Sequence, residues 1–485
     1  MAKRKRDVAA AEQPAAKKTA AAAPQPAKNA TTTSPPISLQ IVTGSYERSL
    51  HGIVATIPSS ALASDDSDES SSVNFADSFL FSAHASAIRC LAISPPSEST
   101  DAGSQKVILA SGSTDERINL YHLSIAPPPL NAHPSLPSLT GTPITQNPKN
   151  RELGSLMHHS SSVSALHFPS RGKLFSAADD NTIAVSRTRD WTVLSTIKAP
   201  IPKAHGRPSG DTAAPGEVPA GVNAFAVHPS QKLMISVGKG EKCMRLWNVM
   251  TGRKASVLNF ERDMLQQVGE GKWSSGEGRK VEWNPEGDEW AVSFERGFIV
   301  YGMDSKPTTR AMPAPRTKLH QMHYIPDLGE DASDILAVST EDGRILFYST
   351  QEKEESKESK EGSIPTCPLV AQLGGKEAEI TGRIKDFEIM NIPGAEKAEE
   401  FIIITASSDG AVRLWLLNRK ELKAAASSRE TAPKQIGRLI GTHETGSRIT
   451  CLKTFALTGK PDEINEVEVE EEGGASSSSD DSDSE

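Results

Sequence analysis

The stretch Thr405–Trp415 reads Thr-Ala-Ser-Ser-Asp-Gly-Ala-Val-Arg-Leu-Trp and follows the apolar run Phe401–Ile404. A β-branched run, a tight turn at Asp409-Gly410 and an alternating strand closed by an aromatic predict a β-hairpin. One hairpin is marginal in water by itself. What limits the fold of this chain is therefore how often the hairpin returns, since stacked copies can bury one another's faces.

It returns at matched offsets. After Thr405 the acidic residue, Asp409, stands four positions on, and the aromatic, Trp415, six further. Ser111, Asp115 and Tyr121 repeat both intervals, as do Ser176, Asp180 and Ser186 with the aromatic lost. Asp342 and Tyr348 keep the second interval. Ser236–Trp247 fits with a one-residue insertion at Gly240-Glu241, and Ala291–Tyr301 carries Glu295 in the acidic position. An alternating segment precedes each copy: Ile88–Ile93, Val163–Phe168, Val222–His228, Lys280–Trp283, Leu319–Ile325 and Ile384–Met390. His84 and His159 stand just ahead of the first two, whereas no His precedes Ile384.

Six units would leave a ring open. Ile449–Phe455, preceded by His443, reads as a first strand with nothing after it. Near the other end Thr43, Glu47 and Ile53 keep the motif's intervals, with Leu39–Thr43, Leu50–Ala55 and Val73–Phe81 as strands. The expectation is a seventh unit assembled from both ends of the body, which removes exposed sheet edges.

A His before the first strand, Ser or Thr on the second, Asp in the turn and an aromatic on the third resemble the WD-repeat family. That resemblance covers roughly residues 38–456 and implies an all-β, seven-bladed β-propeller. It also implies that His84, Ser111, Asp115 and Tyr121, and their counterparts His159, Ser176, Asp180, Trp247, Asp342, Tyr348, Thr405, Asp409, Trp415, His443, Thr43 and Glu47, are structural hydrogen-bond positions. Residues 1–37 and 457–485 are expected to be disordered tails by composition. The excess length between units falls in polar or Pro-rich segments, including Arg262–Gly278 and Lys420–Lys434, expected as mobile rim loops.

Further stretches narrow the resemblance. Tyr46-Glu47, Ser236-Val237-Gly238 with Leu246-Trp247-Asn248, Val281-Glu282-Trp283-Asn284-Pro285-Glu286-Gly287, Ala406–Gly410 and Arg448-Ile449-Thr450-Cys451-Leu452 occur in that order. Together they resemble the fungal maintenance-of-killer WD-repeat and animal PAK-interacting protein family. The resemblance implies a non-catalytic scaffold, nuclear and largely nucleolar, in assembly of the large (60S) ribosomal subunit. Its partners would be pre-ribosomal proteins and assembly factors. For the animal form it also implies negative regulation of a PAK-type kinase, the alternative reading.

Charge fits a nuclear role but departs from the animal relatives, whose C-terminal tail is basic. Residues 1–36 hold seven basic and two acidic side chains, residues 462–485 eleven acidic and no basic ones, and the body is near neutral. Lys3-Arg4-Lys5-Arg6, a ten-residue spacer and Lys17-Lys18 have the spacing of a two-part nuclear import signal for an import carrier. Ser477, Ser478 and Ser482 each have an acidic residue three positions on, which suits an acidophilic kinase. The acidic tail leaves direct RNA contact open.

Catalysis finds little support. Ser111, His84 and Asp115 could form a hydrolase triad, but a triad has no reason to recur in several units, and no Gly-x-Ser-x-Gly elbow occurs. Gly238–Lys242 lacks the full phosphate-loop spacing. His320 and His323, three apart in a strand, are expected on opposite faces, unable to share a metal. Trp273, Trp283 and Trp290 read as core. Four scattered cysteines (Cys90, Cys243, Cys367, Cys451) argue against a disulfide framework or zinc module. No run is long and apolar enough for a bilayer span, and no secretory signal is expected. The sequence implies no cofactor, metal, small-molecule substrate or membrane partner.

Overall fold

Phe401–Ile404 is buried along its whole length because its two faces serve different neighbours. The computed structural model describes residues 36–63, 73–97, 105–128, 144, 147–202, 220–271, 274–326, 334–353, 363–380, 382–393, 400–427 and 434–459. In it Phe401 and Ile403 pack into one inter-sheet core and Ile402 and Ile404 into the next, as the two-residue period of a strand requires. Among the described residues the apolar core divides into seven such clusters, each shared by two neighbouring sheets.

The sheets are the blades of a β-propeller, seven in number as the repeats imply. Their inner strands, which begin blades 1 to 7, are Ile88–Ile93, Val163–Ser170, Val222–Val227, Lys280–Trp283, Leu319–Tyr324, Ile384–Asn391 and Ile449–Ala456. Each blade is an antiparallel four-stranded sheet, and blade 5 adds a short parallel edge strand, Lys434–Gln435. Successive inner strands touch, and the last touches the first, so the ring is closed.

Blade 7 makes that closure. Its inner strand comes from the C-terminal side, and its other strands are Ile37–Ser45, Ser49–Ile57 and Asn74–Ser82. The seam runs from Leu39 opposite Ala456 to Ser45 opposite Ile449. At its upper end the Tyr46 N–H donates to the Arg448 carbonyl at 2.9 Å, and the Arg448 N–H donates to the Glu47 carboxylate at 3.0 Å. The Arg448 guanidinium also lies 5.4 Å from the Tyr46 ring centroid.

Two segments expected as mobile loops are instead built into the core. Arg262–Gln267 is helical, and Met264, Leu265 and Val268 fill the core between blades 3 and 4. Arg419–Ser427 is helical too, with Leu422 and Ala425 in the core between blades 5 and 6. Both loops carry a small apolar cluster, and burying it outweighs the polarity of the rest.

Because the seam joins residues some 400 apart, it closes a very long loop for which local contacts cannot substitute. Chains ended at Thr442 and at Gly459 should therefore differ sharply in thermal unfolding followed by circular dichroism. The longer chain should keep one cooperative transition, and the shorter should lose it or melt far lower. Equal midpoints would contradict closure by this seam.

Candidate partner-binding site at the channel mouth

The motif residues form buried links in some blades and not in others. In blade 1 the His84 Nδ1 lies 3.1 Å from Asp115, and its Nε2 2.8 Å from the Ser111 hydroxyl. The Tyr121 hydroxyl joins Ser111, and burial pushes the tyrosine's pKa up to about 12. Burial works against the Asp115 charge, but hydrogen bonds from the Ala85 and Arg117 N–H groups, together with His84, hold its pKa down. Blade 2 repeats the chain with His159, Asp180 and Ser176 at 3.2 and 2.8 Å. There Ser186 takes the aromatic position, and its buried hydroxyl has no partner among the described residues. The neighbouring His158 instead reaches Ser176 at 2.9 Å. Ser111 and Ser176 are fully buried, so these Ser–His–Asp chains tie strands together where a substrate has no access.

Elsewhere the motif is rewired. In blade 3 the Trp247 indole donates to the Ser236 hydroxyl at 2.8 Å, while Glu241 pairs with Arg245. In blade 5 Asp342 accepts from Thr340 and Arg344, and Tyr348 packs edge-on against Phe298. In blade 6 the Trp415 indole donates to Thr405 at 3.3 Å. Asp409 does not join that pair: its half-exposed carboxylate accepts the Ala411 N–H and faces Arg413 at 3.6 Å. With no His to bridge turn and strand, an arginine takes the carboxylate. In blade 7 Thr43 is buried within its strand, opposite His51 and Leu452, and Glu47 clasps the seam. His443 lies on the outer strand of blade 6, Arg438–Glu444, and faces Asp77 of blade 7. Lys3, Arg4, Lys5, Arg6, Lys17, Lys18, Ser477, Ser478, Ser482 and Trp273 lie outside the described residues.

The inner strands surround a central channel of about 920 Å³. At its mouth a β-bulge falls at the second residue of six inner strands, at Arg89, Ser164, Asn223, His320, Lys385 and Thr450. A bulge re-aims side chains. The bulge in blade 5, between Leu319 and Met322, brings both His320 and His323 to the channel, which corrects their expected placement on opposite faces.

The mouth is uneven. Arg89 donates to Ser162, Ser164 to the Val222 carbonyl, Asn223 to the Gly278 carbonyl and Thr450 to the Ile88 carbonyl. In blades 7, 1, 2 and 3, then, the mouth residue binds the start of the next blade. In blades 4 to 6 the mouth residues are Lys280, His320 and Lys385, and among the described residues neither lysine makes an ion pair. The His320 Nε2 is buried without a partner among the described residues. Burial, with Lys385, Arg383, Arg279 and Lys280 around it, lowers the His320 pKa to about 4. Burial, with Arg383 and Arg448, lowers that of Lys385. Lys318, Arg279 and Arg383 flank this crescent, held by Glu295 and Glu341.

Deeper in the channel charges are matched. Lys453 pairs with Glu388, and His323 Nδ1 lies 3.0 Å from Glu282. Burial opposes the charge on His323, but Glu282 outweighs it and raises the pKa. Asp386 accepts the Leu452 N–H at 2.8 Å. The surplus positive charge is therefore at the mouth, which suits an anionic ligand. Trp283 and Trp290 pack in the core between blades 3 and 4.

The profile of the WD domain, G-beta repeat family matches residues 77–122 and 150–185. The chain is 26% identical to Protein MAK11 of Saccharomyces cerevisiae over 443 residues, 85% of this chain and 82% of that protein. It is 24% identical to a chicken (Gallus gallus) p21-activated protein kinase-interacting protein 1-like over 63% of each chain. The Homo sapiens p21-activated protein kinase-interacting protein 1 is 25% identical over 47% of this chain and 44% of its own.

Two stability outcomes follow. Asp115→Ala strips a buried His–Ser chain and should cost about 1–3 kcal/mol in urea unfolding, whereas Asp409→Ala loses a half-exposed pair and should cost roughly 0.2–1 kcal/mol. Equal losses would contradict the difference in wiring. His158, His167 and His320 all have pKa values lowered to about 4 by burial. Their contribution is complete above the unfolded value of roughly 6.5 and drains as pH falls toward 4. The melting temperature should decline over that window, and His320→Asn should flatten part of the slope.

Proposed function

This chain is a WD-repeat β-propeller, and we propose that it is a non-catalytic nucleolar scaffold in assembly of the large ribosomal subunit. In this reading the cationic crescent of Lys280 and Lys385, with the neutral His320 between them, docks an acidic segment of an assembly-factor protein. The observation that carries the docking is the charge at one side of the mouth that is unpaired among the described residues, in a ring whose other mouth residues are used up by contacts between blades. The ribosomal context rests on similarity to MAK11 along most of both chains. The tails fit the same setting: the two-part basic cluster serves nuclear import, and the acidic tail contacts basic ribosomal proteins.

A kinase-regulating adaptor is the second reading, favoured by relatives named for interaction with a p21-activated kinase. Affinity purification of the tagged full-length protein separates the two. Large-subunit precursors with assembly proteins support the scaffold, and a kinase as the main partner overturns it.

Surface charge gives the finer test. The Lys280→Glu/Lys385→Glu double variant should fold normally and lose at least tenfold in affinity for the recovered partner, and its remaining binding should depend less on salt. Undiminished binding would place the partner elsewhere on the propeller.

A further inference from the structure

Outside the channel, an imidazole and carboxylate cluster stands where blade 7 meets blade 6. His51 on Ser49–Ile57 and Asp77 on Asn74–Ser82 belong to blade 7. His443 reaches them from the outer strand of blade 6. A bulge in blade 7 skips Ser78, so that Ile53 pairs with Asp77 while Gly52 pairs with Phe79. That irregularity brings the Asp77 carboxylate beside His51. His51 Nε2 lies 2.8 Å from Asp77 Oδ1, His443 Nε2 lies 3.5 Å from the same oxygen, and the three donor atoms all fall within 4.8 Å of one another.

We propose that His51, Asp77 and His443 form a binding site for a divalent transition-metal ion of the zinc class. Two imidazoles and one carboxylate are donors that suit such ions, and three protein ligands leave a fourth position for water. The donor atoms around tetrahedral zinc stand roughly 3.3 Å apart, so small side-chain shifts would close the triad on an ion. Burial favours it: the His51 and Asp77 side chains are almost completely enclosed and that of His443 largely so. Among the described residues the buried His443 Nε2 has no hydrogen-bond partner, a cost that a metal bond would remove. Phe75 stacks on the His443 ring at 5.3 Å and fixes its direction.

The location gives the ion a role. Bound there it would join the blade that closes the ring to its neighbour. Only unprotonated imidazole nitrogens ligate, so protons compete with the ion and uptake would strengthen as pH rises.

The test uses the full-length protein stripped with chelator and titrated with Zn²⁺ by calorimetry at pH 7.5 and 6.0, with Co²⁺ absorption as a direct view of the ligands. One ion per chain, tighter binding at the higher pH, a raised melting temperature and intense tetrahedral Co²⁺ bands are expected. His443→Gln keeps the His51–Asp77 pair, and so its blade, and should weaken binding at least tenfold and abolish those bands. The absence of one-to-one binding, or undiminished uptake by His443→Gln as an acidic tail alone would give, overturns the proposal.

Discussion

Backbone pairing between Ile37–Ser45 and Ile449–Ala456 is the constraint on which the remaining structure depends. Without it blade 7 has no inner strand, blades 6 and 1 lose the neighbour that covers them, and two sheet edges face solvent. The cores on both sides rely on it, since Ile449 and Leu452 belong to one cluster and Cys451 and Phe455 to the next. The mouth depends on it as well, because Thr450 of the seam strand carries the bond from blade 7 to blade 1.

Much of this architecture is legible in the sequence because a strand between two blades has both faces buried. Phe401–Ile404 reads as an unbroken apolar run for that reason, and the turn residues bracket it. The inner strands Ile88–Ile93 and Lys280–Trp283 are found where the alternation puts them, and the shared blade follows from the unpaired Ile449 segment. What escapes is what depends on one-residue irregularities or on contacts distant in sequence. His320 and His323 are three apart, and only a bulge turns both to the channel. His443 precedes Ile449 at a motif-like distance, yet its strand belongs to blade 6. Met264 and Leu265, or Leu422 and Ala425, look incidental within polar loops until the gap each pair fills is known.

The candidate site was the least legible part, for the same reason. Lys280, His320 and Lys385 have no shared motif in the sequence and come from different blades, so only ring closure makes them neighbours. Their equivalents Ser164, Asn223 and Thr450 are short and polar and reach the next backbone, whereas Arg89 binds Ser162 and Asp179. A ring of similar units thus acquires a polarised mouth through single residues at one repeated position. The blade-internal His–Ser–Asp chains, which the motif announces most clearly, tie turn to strand within blades 1 and 2.

The most direct test of this account is cross-linking mass spectrometry on the native assembly purified through the full-length protein. Lysine-reactive cross-links to one partner should concentrate on Lys280, Lys318 and Lys385, around the cationic side of the mouth. Cross-links concentrated instead on Lys106 and Lys173, at the opposite ends of their blades, with those three lysines untouched, would contradict it.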